Sequence, residues 1–236
     1  MDRLRVLDST RAADEFLLLD PETADPTYVA RTGYDDPLAE HVAAVEPGNL
    51  VACEVDWTGE RPRFDACEVV ERTRFAFARD VTNLFEAAVE CWREAEHGGE
   101  AMNSRLTRGT DGDVNGVCYV FADQPGQRDL FEEFRDGTKP LDPLLAAVTG
   151  ADPPYEVFVL DPADHPFVVV YIALERGGLL ARTVRETYGL DGEADDGSGR
   201  ADEDGGDRAG GDDEFGGLAD LDGLTGPDDA GDDPTG

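Results

Sequence analysis

After Leu190 the chain stops supplying what a core requires. From Asp191 to Gly236 there are 17 acidic residues, two bases (Arg200 and Arg208) and 13 glycines in 46 residues, with almost no large apolar side chains. Ordering a backbone costs about 1–2 kcal/mol per residue, and this segment has too little apolar surface to offset that cost. The composition predicts a disordered acidic Gly/Asp-rich tail over 191–236 and confines the fold to the first 190 residues. Those residues hold nearly all the aromatic and aliphatic side chains, enough for one ordinary domain or two small ones sharing an interface.

The first 190 residues are themselves acidic, with 37 acids against 18 bases. Over the whole chain 54 Asp and Glu face 20 Lys and Arg, for a net charge of −34, and Lys139 is the single lysine. Such a surface suits concentrated salt, where the screening length shrinks to roughly 3 Å at about 1 M and self-repulsion is quenched. Arginine, the more weakly hydrated cation, stands where lysine would be usual. The expectation is a cytoplasmic protein of a salt-loving archaeon, its acidic surface attended by bulk salt cations. The same charge argues against broad attraction to nucleic-acid backbone or anionic membrane. The longest apolar run, Phe167 to Leu174, is eight residues and too short for a span, and no apolar signal region follows Met1-Asp2-Arg3-Leu4-Arg5.

Local pattern divides the folded part in two. In residues 1–78, short β runs at Leu4 and Val6, Phe16 to Leu19 and Tyr28-Val29 are punctuated by Asp20-Pro21 and Asp25-Pro26. Asp36 and Pro37 open a short helix carrying Leu38, Val42 and Val45. Val51, Cys53, Val55 and Trp57 then alternate as a strand, Thr58 to Pro62 turns, and Phe64 to Val70 returns, running on through Arg72, Arg74 and Phe77. A turn centred on Glu60 places Cys53 opposite Cys67 and Val51 opposite Val69. A slip of one residue places Val51 opposite Val70, and pattern alone leaves both registers open. Five short strands and one helix suggest a small barrel or curled sheet of the OB- or SH3-like kind. Residues 79–190 read as an α+β layer. It comprises a helix from Asp80 to His97 stopped by Gly98-Gly99, a strand Val117 to Phe121, short helices around Phe131 and Leu145, strands Tyr155 to Leu160 and Phe167 to Leu174, and a last helix from Leu179 to Tyr188. The expected fold class is α+β, a small β-barrel-like N-terminal part packed on an α+β layer.

Candidate chemistry concentrates in Asn103 to Asn115. Arg105 and Arg108 can hold a phosphate or carboxylate through paired N–H donors, with Asn103 and Ser104 beside them. Asp111 and Asp113 offer oxygen ligands for Mg²⁺. The competing reading is a hairpin, with Arg105 to Arg108 as one strand and the Asp-Gly and Asn-Gly pairs as turn chemistry. Arg72 and Arg74, interleaved with Phe75 and Phe77, resemble the basic and aromatic surface that binds single strands. Alternation puts the two arginines on one face and the two rings on the other, where the rings suit a core. His41, His97 and His165 have no second ligand nearby, and Asp161, Asp164 and His165 suit a polar turn. Four cysteines (Cys53, Cys67, Cys91, Cys118) lie outside zinc spacing and read as reduced core thiols. No GxSxG, HExxH or GxGxxG occurs, and Ser104 has no visible base, so neither metal nor cofactor is expected. In the tail, Phe215, Leu218, Leu221 and Leu224 recur every three residues and could anchor a segment that folds on a partner.

Asp25-Pro-Thr-Tyr-Val29, Met102-Asn-Ser-Arg105, Tyr119-Val-Phe121, Asp129-Leu-Phe-Glu-Glu-Phe134, Pro154-Tyr-Glu-Val-Phe-Val159 and Pro166-Phe-Val-Val-Val-Tyr171 together resemble an uncharacterised haloarchaeal protein family known only as a domain of unknown function. The resemblance spans roughly residues 1–190. It implies the host and the cytoplasm and transfers no activity, ligand or residue role. The residues themselves favour a non-enzymatic binding or adaptor module whose recognition edge is Asn103 to Arg108, with single-stranded RNA or a protein as partner. The alternative is a Mg²⁺-dependent enzyme acting on a small phosphorylated or anionic substrate.

Overall fold

The computed structural model describes residues 1–123, 126 and 129–190, which form ten strands and five helices in an α+β arrangement. The acidic tail and its Phe215, Leu218, Leu221 and Leu224 segment lie outside the described residues.

Five strands build the first sheet: β1 (Asp2–Asp8), β2 (Glu15–Leu19), β3 (Pro26–Ala30), β4 (Leu50–Asp56) and β5 (Arg63–Glu71), in the order β3-β2-β1-β4-β5 with every pairing antiparallel. Period-two alternation sorts their side chains. Val6, Phe16, Leu18, Val29, Val51, Cys53, Phe64 and Cys67 fill the concave side together with Val42 and Val45. Leu7, Leu17 and Leu19 point the other way. Of the two open registers the β4–β5 hairpin takes the first, Cys53 opposite Cys67 and Val51 opposite Val69, with irregularities on either side that increase the curl.

Of the two expected forms, barrel or curled sheet, the strands take the second and do not close into a barrel. The two edges approach at a single backbone hydrogen bond, Ala30 N to Pro62 O at 3.0 Å. After β3 the chain leaves the sheet for α1 (Leu38–Ala43), which packs on β5 and covers the interior with Val42. A helix thus occupies the side where continued strand pairing would have closed the ring. Its N-terminal cap residue is Pro37, without the side-chain bond expected from Asp36.

The strand expected to continue past Glu71 breaks instead at Arg72-Thr73. Thr73 is fully buried. Its hydroxyl donates to Glu71 Oε1 (2.7 Å) and accepts from Tyr155 N (3.1 Å), while the Asn49 amide donates to its carbonyl (3.0 Å). At this pivot the chain passes into β6 (Arg74–Val81) of the second sheet. Gly48 (φ +93°) makes the crossing possible, since a Cβ there would stand 2.7 Å from the Arg74 carbonyl carbon.

The second sheet adds β7 (Met102–Arg108), β8 (Val114–Ala122), β9 (Glu156–Pro162) and β10 (Phe167–Ala173), in the order β6-β9-β10-β8-β7. Only β6 with β9 is parallel. One face carries Phe75, Val157, Val159, Val168, Val170 and Ile172. It packs on Leu7, Leu17 and Leu19 of the first sheet and on α3 (Leu130–Arg135) and α4 (Asp142–Ala146). Phe75 and Phe77 are therefore core, as their alternation suggested. The opposite face, with Cys118, Val120, Phe158, Phe167, Val169 and Tyr171, is covered by α2 (Glu86–Gly98) and α5 (Leu179–Tyr188). Each fully buried Leu, Val or Phe contributes about 1.5–3 kcal/mol.

α2 starts six residues later than its periodicity implied. Asp80 (φ 56°) and Asn83 (φ 58°) adopt left-handed backbone, which Asp and Asn tolerate and an α-helix does not, so β6 runs on to Val81 and Phe85 becomes the cap. Its other end falls as expected, at Gly99 in left-handed conformation. α5 is tied down by an ion pair from Arg185 to the fully buried Glu156, whose second oxygen accepts from Gly177 N (3.0 Å). No described helix is long and apolar enough to cross a membrane.

Candidate functional site

Asn103 to Asn115 forms a hairpin. β7 and β8 pair from Met102 with Phe121 to Arg108 with Val114, and Gly109 to Asp113 turns between them. Asp111 Oδ1 accepts from Asp113 N (3.1 Å), so Asp111 serves the turn. No group of three or more His, Cys, Asp or Glu among the described residues is arranged to hold a metal ion. His165 sits beside Phe167 with ring centroids 5.2 Å apart, and His97 meets the Arg93 carbonyl at 2.6 Å.

β7 is the outer edge of its sheet. Its inward-facing side chains turn toward α2. Asn103 donates from Nδ2 to the Cys91 carbonyl (3.1 Å) and accepts from Ser104 N (2.8 Å). Arg105 is held between Glu90 and Glu94, the second at 3.5 Å, and the Glu90 hydrogen bond raises its pKa further. Thr107 donates to Asn115 Oδ1 (2.9 Å). Arg108 reaches back over the turn to the Gly112 carbonyl (2.8 Å).

The hairpin from Arg105 to Thr110, with Asn115, forms one wall of a cleft of about 480 Å³. The N-terminal turn of α2 (Phe85 to Glu90) supplies the second wall, and the start of α5 (Leu179, Leu180, Thr183) the third. Tyr171 of β10 bounds the floor. Gly116 of β8 lets α5 approach: a Cβ there would overlap Leu180 and come within 2.7 Å of both the Ile172 carbonyl and Thr107 Oγ1. The lips are apolar and exposed at Leu106 and Leu179.

Tyr171 is the least expected member. It is 1% exposed, and among the described residues its hydroxyl is the only buried side-chain nitrogen or oxygen with no well-formed hydrogen bond, the weakly bonding Cys118 thiol standing beside it. The Phe85 ring stands edge-on to it at 5.9 Å, and the Tyr188 hydroxyl beyond accepts from Phe85 N (3.2 Å). Burial, and then the nearby Cys118 thiol, hold the Tyr171 phenol far above its ordinary pKa, so it is neutral at every physiological pH. Behind it Cys118 is raised by its hydrogen-bonded neighbour Cys91, whose own thiol is lowered by the same bond.

The other two arginines lie elsewhere. Arg72 is exposed beside a separate cavity of about 580 Å³, lined also by Leu38, His41 and Cys67. Arg74 opens β6, at the opposite edge of the sheet from β7. Four strand spacings of about 4.8 Å put the two edges roughly 19 Å apart. Of the six residues singled out from the sequence, Arg105 and Arg108 line the cleft, Asn103 and Ser104 lie farther along β7 outside its lining, and Arg72 and Arg74 lie elsewhere. Sequence reasoning missed Phe85, Leu180 and Tyr171. The available signal was the phenol itself, one hydroxyl in an eight-residue run otherwise without a polar group.

Fold and cleft together define an α+β protein with two stacked sheets and a small-molecule-sized recess at the edge of the second. The chain belongs to the family of unknown function DUF6663, whose family model matches residues 1–195. No curated protein matches the chain. No solved structure matches it either.

Proposed function

We propose that this chain is a non-enzymatic binding module of the cytoplasm of a salt-loving archaeon, and that it takes a small ligand into the cleft along β7. The observation that carries the reading is the cleft: its volume suits a small molecule, its walls are largely apolar, and its few polar groups converge on one recess. A strand of RNA suits the surface less well. Arg105 is already bound by two glutamates, and a strand joining it to Arg74 would have to cross α2 and α5. A Mg²⁺ site at Asp111 and Asp113 would have to dismantle the hairpin turn. The acidic surface matches a brine solvent, in which screening weakens both long-range steering and self-repulsion.

The test is titration of the full chain with 8-anilinonaphthalene-1-sulfonate in about 2 M KCl, where only short-range contacts persist. Saturable binding at one site is expected. It should be lost in Ala87→Trp, which fills the recess from α2, with the far-ultraviolet circular dichroism unchanged. Labelled oligouridylate should neither bind nor displace the probe. Equal probe binding by Ala87→Trp, or displacement by oligouridylate, would overturn the reading.

A further inference from the structure

Resting on the cleft as a binding site, we infer its ligand class: an apolar molecule with an anionic group at its outer end and a neutral oxygen at its inner end. Three independent features of the recess set these requirements.

The first is at the floor. A buried hydroxyl without a partner carries a desolvation cost that a native structure rarely retains without reason. Tyr171 Oη comes close to that case, with only the weakly bonding Cys118 thiol beside it, and Tyr171 lines the recess. As a neutral phenol it can donate to, or accept from, a hydroxyl, carbonyl or ether oxygen. A carboxylate there would need charge compensation, and no cation lines the floor.

The second is at the rim. Two guanidinium groups line the cleft, and one of them, Arg105, is engaged by Glu90 and Glu94. Arg108 is different. Among the described residues it meets no carboxylate at ion-pair distance, and its one hydrogen bond is to the Gly112 carbonyl. Its remaining donors can clamp an anion. Three carboxylates (Glu86, Glu90 and Glu94) face Arg105 and Arg108 here, a much smaller excess of acid than the 54 to 20 of the whole chain. An anion meets less repulsion here than over most of the surface.

The third is between them. Phe85, Ala87, Leu106, Leu179 and Leu180 line the passage. Exposed leucines on both lips of so acidic a protein mark a surface that a partner's apolar body covers.

A matched naphthalene series separates the three requirements. The full chain, in the same salt, is titrated by fluorescence with 6-hydroxy-2-naphthoate, 2-naphthoate and 2-naphthol. The first should bind tightest. Loss of its carboxylate should weaken binding about tenfold, as for one charge-assisted contact. Arg108→Gln should erase that difference and leave the hydroxyl's advantage intact. Loss of the hydroxyl should weaken binding about fivefold, as for one neutral hydrogen bond. Tyr171→Phe should erase that second difference alone. The melting temperature of ligand-free Tyr171→Phe should be unchanged or higher, because an unsatisfied hydroxyl is gone; a merely structural tyrosine would lower it. Equal affinities across the series, or differences that survive both variants, would overturn the class while the anilinonaphthalene result still supports a binding cleft. If neither the probe nor any naphthalene binds, both conclusions fall.

Discussion

Arg5 and Arg105 each stand on a strand and each hold two carboxylates. Arg5 donates to Glu71 (2.8 Å), to Asp142 (3.0 Å) and to the Gly48 carbonyl (2.7 Å), with its guanidinium 5.8 Å from the Phe75 ring centre and 5% of its side chain exposed. Arg105 bridges Glu90 and Glu94 with 34% exposed. The contacts are alike and their depth is not. Arg5 joins three places: β1, the end of β5, and α4. Its partners cannot turn to water if it leaves. Arg105 borders a cleft, and its partners can. In an acidic chain with few cations, burial decides which arginines are structural fasteners and which stay available to a ligand.

The comparison can be tested by breaking each site. Arg5→Met should be the most damaging change, costing about 3 kcal/mol by urea denaturation at fixed salt, because the Gly48 carbonyl and the largely covered Glu71 and Asp142 would lose their buried cation. A loss below about 1 kcal/mol would place Arg5 with the surface pairs. Gly116→Ala probes the wall of the recess. The added methyl has to displace Leu180 or the β10 carbonyl, at about 1–3 kcal/mol, and probe binding should fall with stability. Arg105→Gln should cost less than about 1 kcal/mol, since a partly exposed pair in salt contributes little.

Asp123 supplies the smallest effect and the opposite sign. Burial, and then neighbouring Asp129, raise its carboxyl above the usual range. A carboxyl raised by folding binds its proton more tightly in the folded chain. Its contribution is therefore present below the unfolded pKa of about 3.9 and is lost as pH rises through the raised value. Asp123→Asn should melt slightly higher than the parent at neutral pH, and the difference should close below about pH 4. A difference that widens in acid would show Asp123 to be a favourable carboxylate.

Local pattern reached a good part of this. Alternation at Arg74, Phe75 and Phe77 assigned side chains to faces correctly, because a strand's period is independent of its partner. Gly98-Gly99 marked the end of α2 because the left-handed cap is a local requirement. The hairpin at Asn103 to Asn115 was one of two readings; its Asp111-Gly112 pair sits in the turn as expected, whereas Asn115-Gly116 lies inside β8, which starts at Val114. Less legible were features that depend on residues far apart. Thr73 ends a strand because of Asn49 and Tyr155, which lie 24 and 82 positions away. The first sheet stays open because α1 covers it. Asp80 and Asn83 break an apparently helical stretch because β6 continues beside β9 as far as Pro162.

The sequence by itself determined that the first 190 residues could fold, that they would be α+β, and that their few arginines would be the scarce contacts for an anion. Only the tertiary structure decided that Arg105 is bound while Arg108 is open, that Arg74 lies across the sheet from both, and that Tyr171 lines a recess with its hydroxyl met by no more than a thiol. Composition and period are properties of neighbours along the chain. Burial and hydrogen-bond pairing belong to neighbours in space, and they exist only once strands and helices have been brought together.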